Sequence, residues 1–510
     1  MRTLPGGPAN RLRRCRVALR RDKPALAGRS ASADRPGGQE AGHHVRLVTF
    51  VRLVAFAAVV SAAGAIHAQT VPSPERALAR DILRELMEIP TTEEMGMTPR
   101  AARAMADRLL AAGFPATDVH VLTLTPRVGN LVARLRGADA RTRPILLMAH
   151  IDVVPARRDD WSLDPFTLTE RDGWFYGRGT TDNKAGAAML VANFIRLRRE
   201  GWQPRRDLII ALTGDEETTQ ASIQWLLKEH RHLVDAEFAL NTDSGRIILR
   251  GGKPSLFTVQ ASEKVYADYQ LDVRDVGGHS SLARPDNPIY TLAAALQRIA
   301  AHQFPLNVTE VARLFFERSA RVESGRMAAD LRAVAATPPD PQAAARLSKQ
   351  PFYNARLRTT CVATRVEAGH ANNALPQTAR AVINCRILPG EPTGPVEAAL
   401  RRLAGDRVTL TVLSAPQASP SSPLSAAMLA RFERLAAVQW PGVPVTPVME
   451  AGATDGMYTR LAGISTYAPS ALPEDPDDVR AHGKDERLGV EAFYDATQFW
   501  YQTMKAFGAQ

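Results

Sequence analysis

Residues 207–217, DLIIALTGDEE, end in two adjacent glutamates, Glu216 and Glu217. Neighbouring carboxylates leaving a turn point in different directions, so one can ligate a metal while the other moves a proton. Alone, such a pair reads as a solvated acidic loop. Other segments of the chain finish in the same way, and that changes the reading. His150 follows the apolar run 144–149, and Asp152 stands two residues on, a spacing that suits a ligand histidine and the acceptor that orients its ring. Asp182 lies at a helix start behind Gly177-Arg178-Gly179, where a helix N-cap is an equally good account of it. Asp243 closes the segment 236–243. A cluster of carboxylates with one histidine and no cysteine suits a pair of zinc ions, or similar divalent metals such as Co2+ or Mn2+, with one Asp bridging them.

The elements that must bring these residues together are short strands. Residues 208–212 and 144–149 are apolar without alternation, as in strands buried on both faces of a parallel sheet. Helical spacing over 74–87 and 100–112 precedes them, 184–200 separates them, and 222–230 follows. In an open α/β sheet ligands bind beyond the carboxyl ends of the strands, which gathers His150, Asp182, Glu216, Glu217 and Asp243 in one crevice. From about residue 256 the pattern changes. Residues 257–273 alternate like a strand with one solvated face, a helix is expected over 288–301, and strands over 358–367 and 379–388 precede a helix and a last strand. That βαββαβ order is a compact unit of its own, with an Ala/Arg-rich helical insertion at 306–350 in which we read no chemistry. If the two long strands pair through their connection, Cys361 and Cys385 fall nearly opposite, which makes a cross-strand disulfide a hypothesis and leaves its formation open.

Composition narrows the function. The 510 residues carry a formal charge of +11, but residues 1–68 hold 12 Lys/Arg against 3 Asp/Glu, which leaves 52 against 50 in the remainder. The body has no basic excess to attract nucleic acid. Residues 1–44 read as disordered or upstream of the true start, and 45–68 as a secretory signal peptide cleaved near Ala68. The apolar stretch is too short for a stable membrane anchor. The protein is thus expected to be exported, periplasmic or secreted.

In order and spacing, His150-x-Asp152, Gly177-Arg178-Gly179-x-x-Asp182-x-Lys184, Gly214-x-Glu216-Glu217, Asn241-x-Asp243 and the late His482 resemble the di-zinc peptidases: glutamate carboxypeptidase, aminoacylase, carnosine dipeptidase and yeast carboxypeptidase S. His482-Gly-x-Asp-Glu-Arg is most similar to the carboxypeptidase S-like branch. The resemblance implies an α/β catalytic domain with a central, mostly parallel sheet, formed by residues 76–255 and 417–508. A ferredoxin-like lid at 256–416, a domain that often mediates dimers, interrupts it. It implies that Asp182 bridges two metals, with His150 and Asp243 completing one site and Glu217 and His482 the other. Glu216 would be the general base, Asp152 would orient His150, and a metal-bridged hydroxide would attack an amide. His279 would stabilise the oxyanion from a partner subunit, while Asn373, Arg386, Gly452 and Thr454 would contact the substrate carboxylate. The family often has a cis peptide after the bridging Asp. Ala451-Gly452-Ala453-Thr454 departs from the family's double glycine, and Asn384 from its usual Asp. The expected function is hydrolysis of small peptides next to a free carboxylate. N-acyl-amino-acid hydrolysis is the alternative, and an exported binding protein without catalysis ranks low.

Overall fold

The computed structural model describes residues 73–510 apart from residue 415. The expected disordered and signal segments therefore lie outside the described residues. The core of the catalytic part is a six-stranded sheet. Strand Ile145–His150 lies beside Leu208–Thr213 and Phe238–Asn241, all parallel, and Ser465–Tyr467 joins them at one edge. Val128–Leu135 and Val119–Thr125 add antiparallel at the other edge. Every residue of Ile145–His150 and Leu208–Thr213 is buried. Helices therefore cover both faces, which is why the runs are apolar without alternation. The covering helix Lys184–Arg199 has no polar stripe until its last turn. Among the described residues, no helix is long and apolar enough to cross a membrane.

The strand expected over 257–273 is two strands. Lys253–Glu263 pairs with Val445–Glu450 and Arg246–Arg250 in a second catalytic sheet, whereas Val265–Arg274 belongs to the lid sheet with Thr360–Ala368, Thr378–Ile387 and Thr409–Val412. The boundary expected at 256 thus falls at Lys264. Alternation misled because it holds only from Val265 onward, while the second half of the first strand is buried throughout. Lys264 itself is buried and donates to the carbonyls of Ala355 and Arg358 and to Thr360 Oγ1. Cys361 stands opposite Cys385 in the lid sheet, and the two form a disulfide. The insertion is helical, with helices Glu310–Ser319, Gly325–Ala335 and Pro341–Leu347, and a fourth helix, Pro351–Leu357, extends it past the bound expected at 350. It lies within the lid by sequence but packs on the catalytic sheet, where Phe315, Phe316 and Leu357 share a buried cluster with Leu256 and Val448.

Candidate metal centre

Three parallel strands finish side by side, so the loops that follow them converge. His150 is buried at the end of its strand, and its Nε2 lies 2.9 Å from Asp182 Oδ1 and 3.4 Å from Asp243 Oδ1. His482, whose loop comes from the far end of the chain, places Nε2 2.9 Å from Glu217 Oε1 and 3.1 Å from Asp182 Oδ2. The two oxygens of Asp182 thus face the two imidazoles. Glu216 Oε2 is 3.9 Å from His150 Nε2. Donor atoms of His150, Glu216 and Asp243, and of His150, Asp182 and Glu217, all come within 4.8 Å of one another, so the cluster is continuous.

Asp152 links the pieces. Its carbonyl lies 3.1 Å from His150 Nδ1, and its carboxylate accepts the backbone N–H groups of Glu216 at 3.1 Å and Glu217 at 2.9 Å. One residue therefore sets both the histidine ring and the loop bearing the two glutamates. The peptide between Asp182 and Asn183 is cis, and Asn183 Nδ2 donates to Asp243 Oδ1 at 3.1 Å.

The electrostatics suit cations. Burial first, and then the charge of Asp243, push the Glu216 carboxyl well above the usual carboxylate range. Burial likewise raises Glu217 and Asp243. Burial works the same way on Asp182, but hydrogen bonds with His150 and His482 outweigh it and hold that carboxyl low. Four carboxylates face two imidazoles, an excess of negative charge on oxygen and nitrogen donors without sulfur. Such a set fits divalent ions of the zinc, cobalt or manganese type.

Glu486 has a role that sequence reasoning missed. It is fully buried and accepts from Arg178 Nη1 (2.7 Å), the amides of Gly179 (3.1 Å), Thr181 (2.7 Å) and Asp182 (3.2 Å), and Thr181 Oγ1 (2.8 Å). It ties the loop of Asp182 to that of His482, four residues before it. The only trace in the sequence is its place in the His-Gly-x-Asp-Glu-Arg motif, which carries no sign of a role. Both oxygens accept, so the amide of Glu486→Gln must turn a donor toward other donors. We expect a loss of about 2–5 kcal/mol in stability and roughly 10- to 100-fold weaker metal binding. A chelator-competition titration showing unchanged affinity would count against this role.

The expected substrate contacts divide. Gly452 and Thr454 line a cavity of about 640 Å³ that also holds Asp182, Glu216, Glu217, Asp243 and His482. Thr454 is fixed there by Glu263, which accepts its amide at 3.0 Å and is paired with Arg460. His279, Asn373 and Arg386 do not line this cavity. His279 is exposed on the lid, beside Asn373 through the short pairing of Gly278–His279 with Ala374–Leu375. Arg386 stacks on the Tyr266 ring at 4.6 Å in the lid sheet. Asn384 donates to Asp268 Oδ1 at 2.8 Å and so plays a part in the lid sheet's own polar pairing.

This α/β catalytic body, with its lid and its carboxylate–imidazole cluster, defines a metal-dependent hydrolase. The model of peptidase family M20/M25/M40 matches residues 146–506, and the chain belongs to that family. Human N-fatty-acyl-amino acid synthase/hydrolase PM20D1 is 30% identical over 461 residues, covering 84% of this chain and 88% of its own length. The probable carboxypeptidase S-like 2 of Dictyostelium discoideum is 30% identical over 394 residues, 74% of each chain. Among solved structures, the metallo-carboxypeptidase Sso-CP2 of Sulfolobus solfataricus superposes with a TM-score of 0.63 at 15% identity, covering 85% of this chain and 99% of its own.

Proposed function

We propose that the protein hydrolyses the amide bond of N-acyl amino acids, releasing a carboxylic acid and the free amino acid. The observation that carries this reading is the cavity, which runs from the metal cluster to an aromatic wall with Phe315, Phe352 and Tyr353. A neutral apolar arm on one side of the scissile bond suits such a wall better than a charged peptide does. The similarity to a relative named for N-fatty-acyl amino acids agrees with it. Two divalent cations, when bound, supply Lewis acidity toward the amide carbonyl and toward water.

The chain's own residues do the rest. Gln220 Nε2 donates to Glu216 Oε1 at 3.1 Å, so that oxygen is tied and Oε2 is left facing the cluster. From there Glu216 takes a proton from the attacking water and returns it to the leaving nitrogen. His150, Asp182, Asp243, Glu217 and His482 hold the cations, and Asp152 keeps His150 and the glutamate loop in register. The Gly452–Thr454 turn, fixed by Glu263, offers polar contacts on the substrate's path.

A carboxypeptidase is the second reading, favoured by the similarity to the carboxypeptidase S-like chain. A screen of N-acyl amino acids against dipeptides, with the released amine measured, separates them. The expected result is a kcat/KM at least about tenfold higher for N-acyl substrates, a preference of about 1.4 kcal/mol. The reverse order selects the carboxypeptidase.

A further inference from the structure

We propose that the inserted helices form a gauge for the apolar arm of the substrate. They would hold a linear hydrocarbon chain against Phe315, Phe352 and Tyr353, with its length limited where Ser319 and Val322 line the cavity. This rests on the reading of the reaction given above.

The wall is fixed to the body that carries the metal ligands. Besides the shared buried cluster with Leu256 and Val448, Arg318 donates to the Val445 carbonyl and pairs with Glu433, each at 2.6 Å. The gauge therefore does not depend on where the lid stands. On helix Glu310–Ser319, Phe315 and Ser319 are one turn apart and share a face, and both line the cavity that contains Asp182, Glu217 and His482. Ile248, Leu256 and Val448 line it from the strands of the second catalytic sheet.

The charges along this path are already matched. Arg250 pairs with Glu323, Arg356 with Glu450 at 3.5 Å and Arg246 with Glu474 at 4.0 Å, and all six residues line the cavity. Arg356 lies over Phe352, its Cζ 3.8 Å from the ring centre and 5.1 Å from that of Phe315. With each of these arginines paired to an acid and Arg356 also packed on aromatic rings, the wall has little with which to recognise an acidic or basic side chain. It offers apolar area to a hydrocarbon.

Ser319 is 5% exposed, and its Oγ has no hydrogen-bond partner among the described residues. A larger apolar side chain there breaks no hydrogen bond while taking up space in the cavity. Val322 is only half-buried and tolerates a larger group at less risk to folding.

The test is calorimetric titration of the zinc-loaded protein with straight-chain carboxylates from butyrate to tetradecanoate. It runs beside initial rates for amino acids acylated with chains of the same lengths and with acetyl. The head group is constant along the series, so affinity should tighten about three- to fourfold per added CH2 until a break where the chain no longer fits. Ser319→Phe and, independently, Val322→Phe should move the break to shorter chains. They should also lower the ratio of tetradecanoyl to acetyl turnover at least about tenfold. A break at the same length in all three proteins, or affinity independent of chain length, overturns the gauge. Length-dependent binding without hydrolysis of any N-acyl amino acid removes the reading of the reaction and leaves the gauge. Hydrolysis with flat binding does the opposite.

Discussion

Replacing Glu216 by Gln leaves the metal complement unchanged and lowers kcat by about 10²–10⁴, a loss of roughly 3–5 kcal/mol in transition-state stabilisation. The size follows from what the substitution keeps. Glutamine has nearly the shape of glutamate, and the backbone amide that anchors this residue to Asp152 is unaffected. The donors assigned to the cations, His150, Asp182, Asp243, Glu217 and His482, are all still present. What is lost is a group able to accept a proton from water and deliver it to the leaving nitrogen. KM should change little, since the residue acts on the proton in flight and not on bound substrate. Measuring metal content and kcat on the same preparation checks this. A fall in kcat that parallels a fall in bound metal would instead make Glu216 a ligand, and its place within 4.8 Å of His150 and Asp243 donor atoms makes that outcome a real competitor.

The second large effect is expected at Asp182. Its two oxygens face His150 at 2.9 Å and His482 at 3.1 Å, so its carboxylate lies between the two imidazoles of the cluster. Asp182→Ala should weaken both cations together, by at least about 100-fold, and bring hydrolysis to background, because losing a shared ligand exceeds the 10- to 100-fold usual for a supporting residue. His150→Ala or His482→Ala should weaken one cation more than the other. If Asp182→Ala kept one ion at full affinity, the shared-ligand assignment would be wrong.

Parts of this site were legible in the sequence, for physical reasons that can be named. The strands ending at His150 and at Thr213 are buried on both faces, so they read as unbroken apolar runs, and the acids just beyond them marked the sheet's carboxyl edge. The lid's alternating strand was legible because one face of that sheet is solvated, whereas the facing of Cys361 and Cys385 followed only on the condition that their strands pair, which they do, across a register shift between Ala363 and Arg365. Glu486 was not legible. It works by accepting five hydrogen bonds from residues about 300 positions away, and nothing in its neighbours' types announces that. The insertion was legible as helices but not as a wall of the cavity. Its apolar positions are spaced as any packed helix requires, and only the fold shows that Phe315, buried in the same cluster as Phe316, lines the cavity with Ser319 while Phe316 does not. The break at Lys264 was hidden for a related reason. A chain that passes from one sheet to the next without a turn keeps its extended pattern, and neither glycine nor proline marks the crossing.

The central claim is that one aspartate, two histidines and their neighbouring acids hold two cations side by side. Anomalous diffraction from crystals of the zinc-loaded protein, collected on both sides of the zinc absorption edge, tests it most directly. Two peaks are predicted, one beside His150 and Asp243 and the other beside Glu217 and His482, with Asp182 between them. A single peak, or peaks that Asp182 does not touch, would contradict the account.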